Sequence, residues 1–214
     1  CKNLMNISVI DMGNIFNLQR AISFVGGRSS IIRNIDDILQ AKKIILPGVG
    51  NFKAAMEFLR SKGFDEAIIE RAKEGIPTLG ICLGQQLLME SSEESELTQG
   101  LGLIPGKVKY FYNDKLFDKS KVPNIGWRPI AENLECKREW DDSILKGVVK
   151  NDQCYFVHSL YTKTSNIEDT LSLSSYGSVT YSSSVQHENI IGCQFHPEKS
   201  GHIGLKILKN FINI

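Results

Sequence analysis

The chain has no excess of positive or negative charge: 25 Lys and Arg stand against 24 Asp and Glu over 214 residues, a formal charge of +1. Nucleic acid and acidic membrane surfaces are therefore not expected partners, since both recruit proteins through a basic excess or stripe. A paired cysteine framework is also missing. The five cysteines (Cys1, Cys82, Cys136, Cys154, Cys193) are an odd number without Cys-x-x-Cys spacing, which speaks against a disulfide scaffold or zinc ribbon and for a reducing, cytoplasmic setting. The four histidines, His158, His187, His196 and His202, show no zinc-ligand spacing, so neither a metal nor another cofactor is expected. No apolar run approaches the ~18 residues of a membrane span. The opening Cys1-Lys2-Asn3-Leu4 is too short and polar for a secretory signal; it stays open whether residues 1–4 are native or the natural start is Met5.

Hydrophobic residues make up 42% of the chain, enough at this length to bury a full core without staples. One domain over residues 1–214 is expected, with no linker or internal repeat. The first half alternates short apolar runs (Ile7–Ile10, Ile31–Ile32, Ile44–Leu46, Thr78–Cys82) with helical patterns (Leu18–Val25, Ile38–Ala41, Phe52–Leu59, Ala67–Lys73, Gln85–Met89). That alternation predicts βαβ units and a parallel sheet, with chemistry in the loops after the strands. The second half reads as strands over Val108–Phe111, Tyr155–Leu160, Thr170–Ser174, Val179–Val185 and Ile190–Phe195, then a helix over Ile203–Ile212. Glu90–Gln99 reads as a loop or frayed helix end. The acidic Glu93, Glu94 and Glu96 read as solvated surface, Cys154 and Cys193 as core, and Cys136 as an exposed thiol. His158 is expected beside the site, His202 in solvent, and Trp140 has no assigned role.

The sharpest local signal is Gly80-Ile81-Cys82-Leu83-Gly84, set between an apolar strand and a helix. This is a nucleophile elbow with cysteine at its centre: a sharp turn lifts the side chain above the sheet, and flanking glycines prevent collision. A helix N-terminus there favours thiolate. A lone cysteine of this kind would more simply be a buried core residue. His196-Pro197-Glu198, after a late strand, reverses that judgement by supplying a base and a carboxylate to orient it. In an extended segment His196 and Glu198 would point the same way, with the proline keeping the segment from coiling. Pro47-Gly48-Val49-Gly50 follows another strand; its glycines permit a peptide that turns an N–H toward or away from an oxyanion, a gate that a bound partner could set.

In these stretches the chain resembles the class I glutamine amidotransferases, the Cys-His-Glu triad family, from Ile7 to the final helix. Pro123-Asn124-Ile125-Gly126-Trp127, Tyr155-Phe156-Val157-His158-Ser159 and Gln194-Phe195-His196-Pro197-Glu198-Lys199-Ser200 match as well. The elbow and His-Pro-Glu mark the superfamily. Pro-Gly-Val-Gly, Asn-x-Gly-Trp and the Lys-Ser after the triad point to its free-standing glutaminase subunits. The resemblance implies a flavodoxin-like α/β fold, with a mostly parallel central sheet flanked by helices and an antiparallel β extension. It implies Cys82 as nucleophile, His196 as general base and Glu198 as its orienter. Val49 and Leu83 would supply oxyanion-hole amides, while Gly50 and Gln86 would hold glutamine. It further implies a (β/α)8 barrel synthase subunit as partner in a 1:1 heterodimer, receiving ammonia through a channel, with Asn14, Asn17, Trp127, Tyr155 and Lys199 at or near the interface.

Three departures cluster on the partner-facing side. Met12-Gly13-Asn14 follows Ile10-Asp11 with two residues fewer than usual, Arg128 stands where Trp-Asn is usual, and Leu160 replaces an aromatic. They bear on which barrel partner is served, since related glutaminases support surface-sugar amidation. A cysteine hydrolase of another amide is the second enzymatic reading. A non-catalytic binding subunit is the reading of another class, against which an intact Cys82, His196 and Glu198 count.

Overall fold

Apolar residues recurring at two periods build the first half of the molecule. The computed structural model describes residues 6–13, 15–94, 97–118 and 120–214. Strands β1 (Asn6–Ile10), β2 (Arg28–Ile32), β3 (Ile44–Leu46) and β4 (Thr78–Ile81) alternate with helices α1 (Ile15–Phe24), α2 (Ile35–Leu39), α3 (Phe52–Ser61), α4 (Phe64–Lys73) and α5 (Leu83–Leu87). The second half adds β5 (Met89–Ser92), β6 (Thr98–Gln99), β7 (Ile104–Tyr110), β8 (Asn124–Pro129), β9 (Ala131–Glu132), β10 (Gln153–His158), β11 (Leu160–Thr164), β12 (Thr170–Tyr176), β13 (Val179–His187), β14 (Ile190–Cys193) and the closing helix α6 (Gly201–Asn213). Thus the expected α/β architecture is present. Strands β2, β1, β3, β4 and β14 run parallel in that order; β13, β11 and β7 continue the sheet antiparallel. Strands β8 and β10 form a separate antiparallel pair.

Period-two alternation sends neighbouring strand residues to opposite faces, and both faces are covered. Ile7 and Val9 of β1, Ile45 of β3, and Leu79 and Ile81 of β4 join Leu18 and Ile22 of α1 and Ile207 and Phe211 of α6 in one core. Ile10, Ile44 and Leu46 face the other way, into a core with Ile38, Met56, Leu59 and Ile68 of α2, α3 and α4. The result leaves the carboxyl ends of β3, β4 and β14 adjacent at one edge, because those strands are neighbours in the parallel part.

Three expectations are corrected. The helix after Cys82 ends at Leu87, and Glu90–Gln99 carries β5 and β6 where a loop or frayed helix was expected. Met89 is fully buried and pairs with Ile104, so tertiary pairing decides a stretch whose polar composition hides it. Tyr155–Leu160 is not one strand: it breaks at Ser159 between β10, paired with β8, and β11, paired with β7. Trp140 has a plain structural role, packing in the core with its Nε1–H donated to the Leu171 carbonyl at 3.0 Å.

One buried cation closes the fold. Lys43 is 3% exposed, and its Nζ donates to the carbonyls of Ile212 at 2.6 Å and Phe211 at 3.2 Å. The last carbonyls of a helix have no partner within it, so this lysine ties the C-terminal end of α6 to the start of β3. Lys43→Met is expected to cost about 1–3 kcal/mol through those orphaned acceptors, measured by urea denaturation; unchanged stability would mean the tie contributes nothing.

Candidate active site

The elbow is built by close approach. A Cβ on Gly84 would lie 1.7 Å from the Leu46 carbonyl oxygen, and one on Gly80 would lie 2.6 Å from the Gly84 carbonyl. The two glycines thus let the start of α5 press onto β3 and β4. Between them Cys82 is forced to φ 55°, ψ −107°, a conformation non-glycine residues adopt only where their surroundings over-determine it. Its N–H is tied to the Cys193 carbonyl at 2.7 Å, and its carbonyl accepts from Gln86 N–H at 3.3 Å.

Around its sulfur the site assembles. Sγ lies 3.7 Å from the Val157 carbonyl oxygen and 3.8 Å from Gln194 Nε2. His196 follows β14, its N–H held by the Tyr155 carbonyl at 2.9 Å. Its Nδ1 meets Glu198 Oε1 at 2.8 Å, both side chains being about 96–97% buried (3% and 4% exposed). The local geometry differs from the extended segment expected: Pro197–Lys199 is a 3₁₀ turn with His196 just before it. Proline suits the first position of such a turn, where its fixed φ fits and its missing N–H loses no bond. The turn, not strand alternation, brings carboxylate and imidazole together.

Electrostatics separates the two histidines here. Burial alone would depress His196, but the Cys82 sulfur and then the Glu198 carboxylate outweigh it and raise its pKa to about 9. With Nδ1–H given to Glu198, Nε2 is the nitrogen left over, and among the described residues it makes no hydrogen bond of ordinary geometry. His158 is the opposite case. Burial drives its pKa down to about 4, with the neighbouring His196 charge adding to the effect against a bond to the Leu160 carbonyl. The neutral ring donates Nδ1–H to Leu160 O at 2.7 Å and accepts from Asn124 Nδ2 at 3.0 Å through Nε2. Phe111, Phe156 and Tyr181 pack around it.

These two shifts predict how stability follows pH. A histidine raised from 6.5 to about 9 contributes stability in full below 6.5 and loses it as pH climbs through 9. One lowered from 6.5 to about 4 contributes fully above 6.5 and loses it as pH falls toward 4. The unfolding free energy is therefore expected to peak near 6.5, each limb falling by up to about 3 kcal/mol. Thermal unfolding from pH 4 to 9.5 measures it, and His196→Gln should flatten the alkaline limb and, by removing a charge that helps depress His158, shorten the acid one slightly; a level profile in the unmodified chain would contradict both shifts.

Most of the residues singled out from the sequence converge. Cys82, His196, Val49, Gly50, Leu83 and Gln86 line one cavity of about 290 Å³. Glu198 stands behind His196, on the far side of the ring from that cavity's wall, and borders a narrow cleft with Pro47 and Gly48. Gly50 has φ +102° and Val49 is half-exposed, so the peptide between them sits at the cavity rim. Trp127 and Tyr155 face each other in β8 and β10 with ring centroids 6.0 Å apart, and Lys199 Nζ lies 6.0 Å from the Tyr155 ring centre. These three form one surface patch. Asn17 lies on the exposed face of α1, in a groove with Arg20, Phe24 and Glu198. Asn14 falls outside the described residues, as do residues 1–4, Met5 and Glu96.

Two features escaped the sequence reading. Glu94 is not free surface: it lines the cavity, and its Oε2 accepts from Phe52 N–H and Asn51 Nδ2, both at 2.8 Å, at the start of α3. No local signal ties residue 94 to residue 51. Cys136 is half-buried, its Sγ donating to the Glu168 carbonyl at 3.2 Å. Cys154 and Cys193 are buried and His202 is exposed, as expected. Among the described residues no three His, Cys, Asp or Glu side chains gather where a cation could be held, and no helix is long and apolar enough to cross a membrane.

Comparison with known proteins sets this geometry in context. The family model for class-I glutamine amidotransferase matches residues 8–214. The imidazole glycerol phosphate synthase subunit HisH of Methanosarcina barkeri is 45% identical over 216 residues, spanning 99% of this chain and 100% of that one. The subunit of the same name from Listeria innocua is 44% identical over 201 residues, spanning 94% and 91%. Among solved structures, a glutamine amidotransferase superposes with a TM-score of 0.71 at 15% identity, covering 97% of this chain and 99% of that one. PurLQS from Thermotoga maritima does so with a TM-score of 0.71 at 17% identity and 98% coverage of each. At those identities the likeness is one of fold.

Proposed function

Because the chain belongs to the class I glutamine amidotransferases, we propose that it is the glutaminase subunit of an imidazole glycerol phosphate synthase. In this role it hydrolyses glutamine to glutamate and ammonia and passes the ammonia to a (β/α)8 barrel subunit that forms imidazole glycerol phosphate and the aminoimidazole carboxamide ribotide by-product of histidine biosynthesis. It does so as one amidotransferase domain in the cytoplasm. The observation that carries the reading is that an elbow cysteine and a histidine whose Nδ1 is held by a buried carboxylate line the same cavity, one of amino-acid size.

The chemistry follows from those groups. His196 Nε2 takes the proton from Cys82, and sulfur attacks the side-chain carbonyl carbon of glutamine. The oxyanion that forms is met by the N–H groups of Leu83 and Val49, each such donor being worth about 2.7–4 kcal/mol of barrier. His196 returns its proton to the amide nitrogen as the C–N bond breaks, releasing ammonia and leaving a thioester. Water, deprotonated by the same imidazole, then attacks the thioester carbon; glutamate departs and sulfur recovers its proton. Glu198 holds Nδ1–H throughout, which keeps Nε2 available to sulfur and water in turn. Gly50 and Gln86 contribute to holding the substrate. Misalignment of the Pro47–Gly50 peptide would remove one oxyanion donor, so the partner's own substrate can switch the site on by turning it.

Glu94 supplies what the sequence reading had not provided, an anion in the cavity wall. Its Oε1 is left over after Oε2 caps α3, in a position to pair with the α-ammonium of glutamine. Glu94→Gln is expected to raise KM about 10- to 100-fold with kcat changed far less, the pattern of lost ground-state binding; a fall in kcat alone would remove Glu94 from substrate binding. The pathway is tested by purifying the chain with a candidate barrel subunit and adding its phosphoribosyl substrate. Acceleration of glutamine hydrolysis is the expected result. Acceleration by a sugar-linked acceptor instead would move the chain to surface-sugar amidation, and equal rates with and without the partner would eliminate the gate.

A further inference from the structure

We infer that Gln194 is a further catalytic residue: its side-chain amide, turned by Gln86, donates a hydrogen bond to the Cys82 sulfur and holds it in the thiolate state. The inference rests on Cys82 being the nucleophile. Gln194 is fully buried and Gln86 is 4% exposed, so their amides must be satisfied by protein groups or leave costly orphans. Gln86 Nε2 donates to the Leu160 carbonyl at 3.2 Å and to Gln194 Oε1 at 3.2 Å; Gln194 Nε2 lies 3.8 Å from Cys82 Sγ. The polarity of this chain is not free. A backbone carbonyl can only accept, so Leu160 O fixes which end of the Gln86 amide is nitrogen. That nitrogen in turn demands oxygen from Gln194, which leaves Gln194 only its N–H group to turn toward sulfur. The backbone of Gln194 is pinned as well, its N–H on the Ser183 carbonyl at 2.9 Å.

The sulfur then has a partner for each of its states. As a thiol it can donate to the Val157 carbonyl at 3.7 Å. Once its proton has moved to His196 that bond is lost, and the carbonyl lone pairs oppose the negative sulfur. The Gln194 N–H becomes a charge-assisted bond in that state, roughly twice as strong as a neutral one. Gln86 acts through Gln194 and is a positioning residue for the same effect. Among the described residues the other ionisable groups bordering the site are His196, Glu198, His158 and the buried Cys193, with Glu94 on the cavity wall, and substitution at Gln194 leaves all five in place.

The test is alkylation of Cys82 by iodoacetamide in the full chain, followed peptide by peptide from pH 5 to 10. For Gln194→Met the rate at pH 7 is expected to fall about five- to ten-fold, with the profile displaced to higher pH and the same limiting rate. Gln194→Glu, which puts an acceptor beside sulfur, should be displaced further, and Gln86→Met less. A merely space-filling Gln194 would leave the profile of any folded variant where it was, and that outcome overturns the inference. If the variants do not fold, the unmodified chain decides: one glutamine Nε2–H2 proton pair should shift along the same pH profile as alkylation and stay fixed in Cys82→Ala, and no titrating amide would also overturn it. Undiminished glutaminase activity in Cys82→Ala would instead overturn the nucleophile reading, a separate failure.

Discussion

Replacing Cys82 by alanine is expected to reduce glutamine hydrolysis by at least about 10⁴-fold, because it removes the thiol that the elbow sets in the cavity wall with His196, and with it the covalent intermediate that divides the reaction into two easier steps. Fold and partner binding should survive. Alanine can take the same strained backbone angles no worse than cysteine, the residue is 6% exposed, and the Trp127, Tyr155 and Lys199 patch lies outside the cavity. Cys82→Ser tests the point more sharply. It keeps a hydroxyl at the elbow, yet oxygen holds its proton too tightly for His196 to deliver a useful fraction of alkoxide, so activity should remain near background. Steady-state glutaminase assays, with circular dichroism to verify folding, measure both. Activity within ten-fold of the unmodified chain in Cys82→Ala would remove sulfur from the mechanism.

The parts of this site that were legible in the sequence share one property: their reason is local. Gly80, Cys82 and Gly84 are readable because a sharp strand-to-helix turn demands small residues on either side of its centre, and the space they leave is that small. The parallel half was readable because strands buried on both faces are continuous apolar runs, as in Ile44–Leu46. His196 and Glu198 do meet, but through a turn and not through the extended segment expected. The spacing is compatible with an extended segment or a 3₁₀ turn, and proline, which fits the start of a turn, does not choose between them without tertiary context.

What was illegible depends on distant pairing. Glu94 looks like one acid in a solvated run until the start of α3 is laid against it. The strand beginning at Met89 exists because β7 runs alongside. Gln194 was visible only as a letter before His-Pro-Glu; its part emerges from a hydrogen-bond chain linking residues 160, 86, 194 and 82, and no window along the sequence spans those positions. The hydroxyl-rich strands β12 and β13 were expected as strands, but the partners of their hydroxyls were not visible. Thr170, Ser172, Ser182, Ser183 and Ser184 read as polar, yet they are buried, and their hydroxyls bond to one another across β12 and β13.

Gly84→Ala should combine the largest loss of stability with a loss of activity, and the reason joins fold to function. The added methyl would sit 1.7 Å from the Leu46 carbonyl oxygen and 2.8 Å from its carbon, well inside contact distance. β3 cannot yield easily, since it is paired with β1 on one side and β4 on the other. The start of α5 must retreat instead, and it carries Cys82 and the Leu83 amide with it. Overpacking of this severity is expected to cost more than about 3 kcal/mol. Any protein that still folds should lose at least about 10²-fold in kcat/KM, the penalty for a reacting group displaced by about 1 Å. Gly75→Ala provides the comparison. That glycine also has positive φ, +84°, but nothing lies within 4 Å of its would-be methyl, so only backbone strain of about 1–2 kcal/mol should appear, with activity intact. Urea denaturation and glutaminase kinetics on the two variants separate steric from conformational cost. Equal stability of the pair would mean that the contact between α5 and β3 is loose, and that the elbow is not what positions the sulfur.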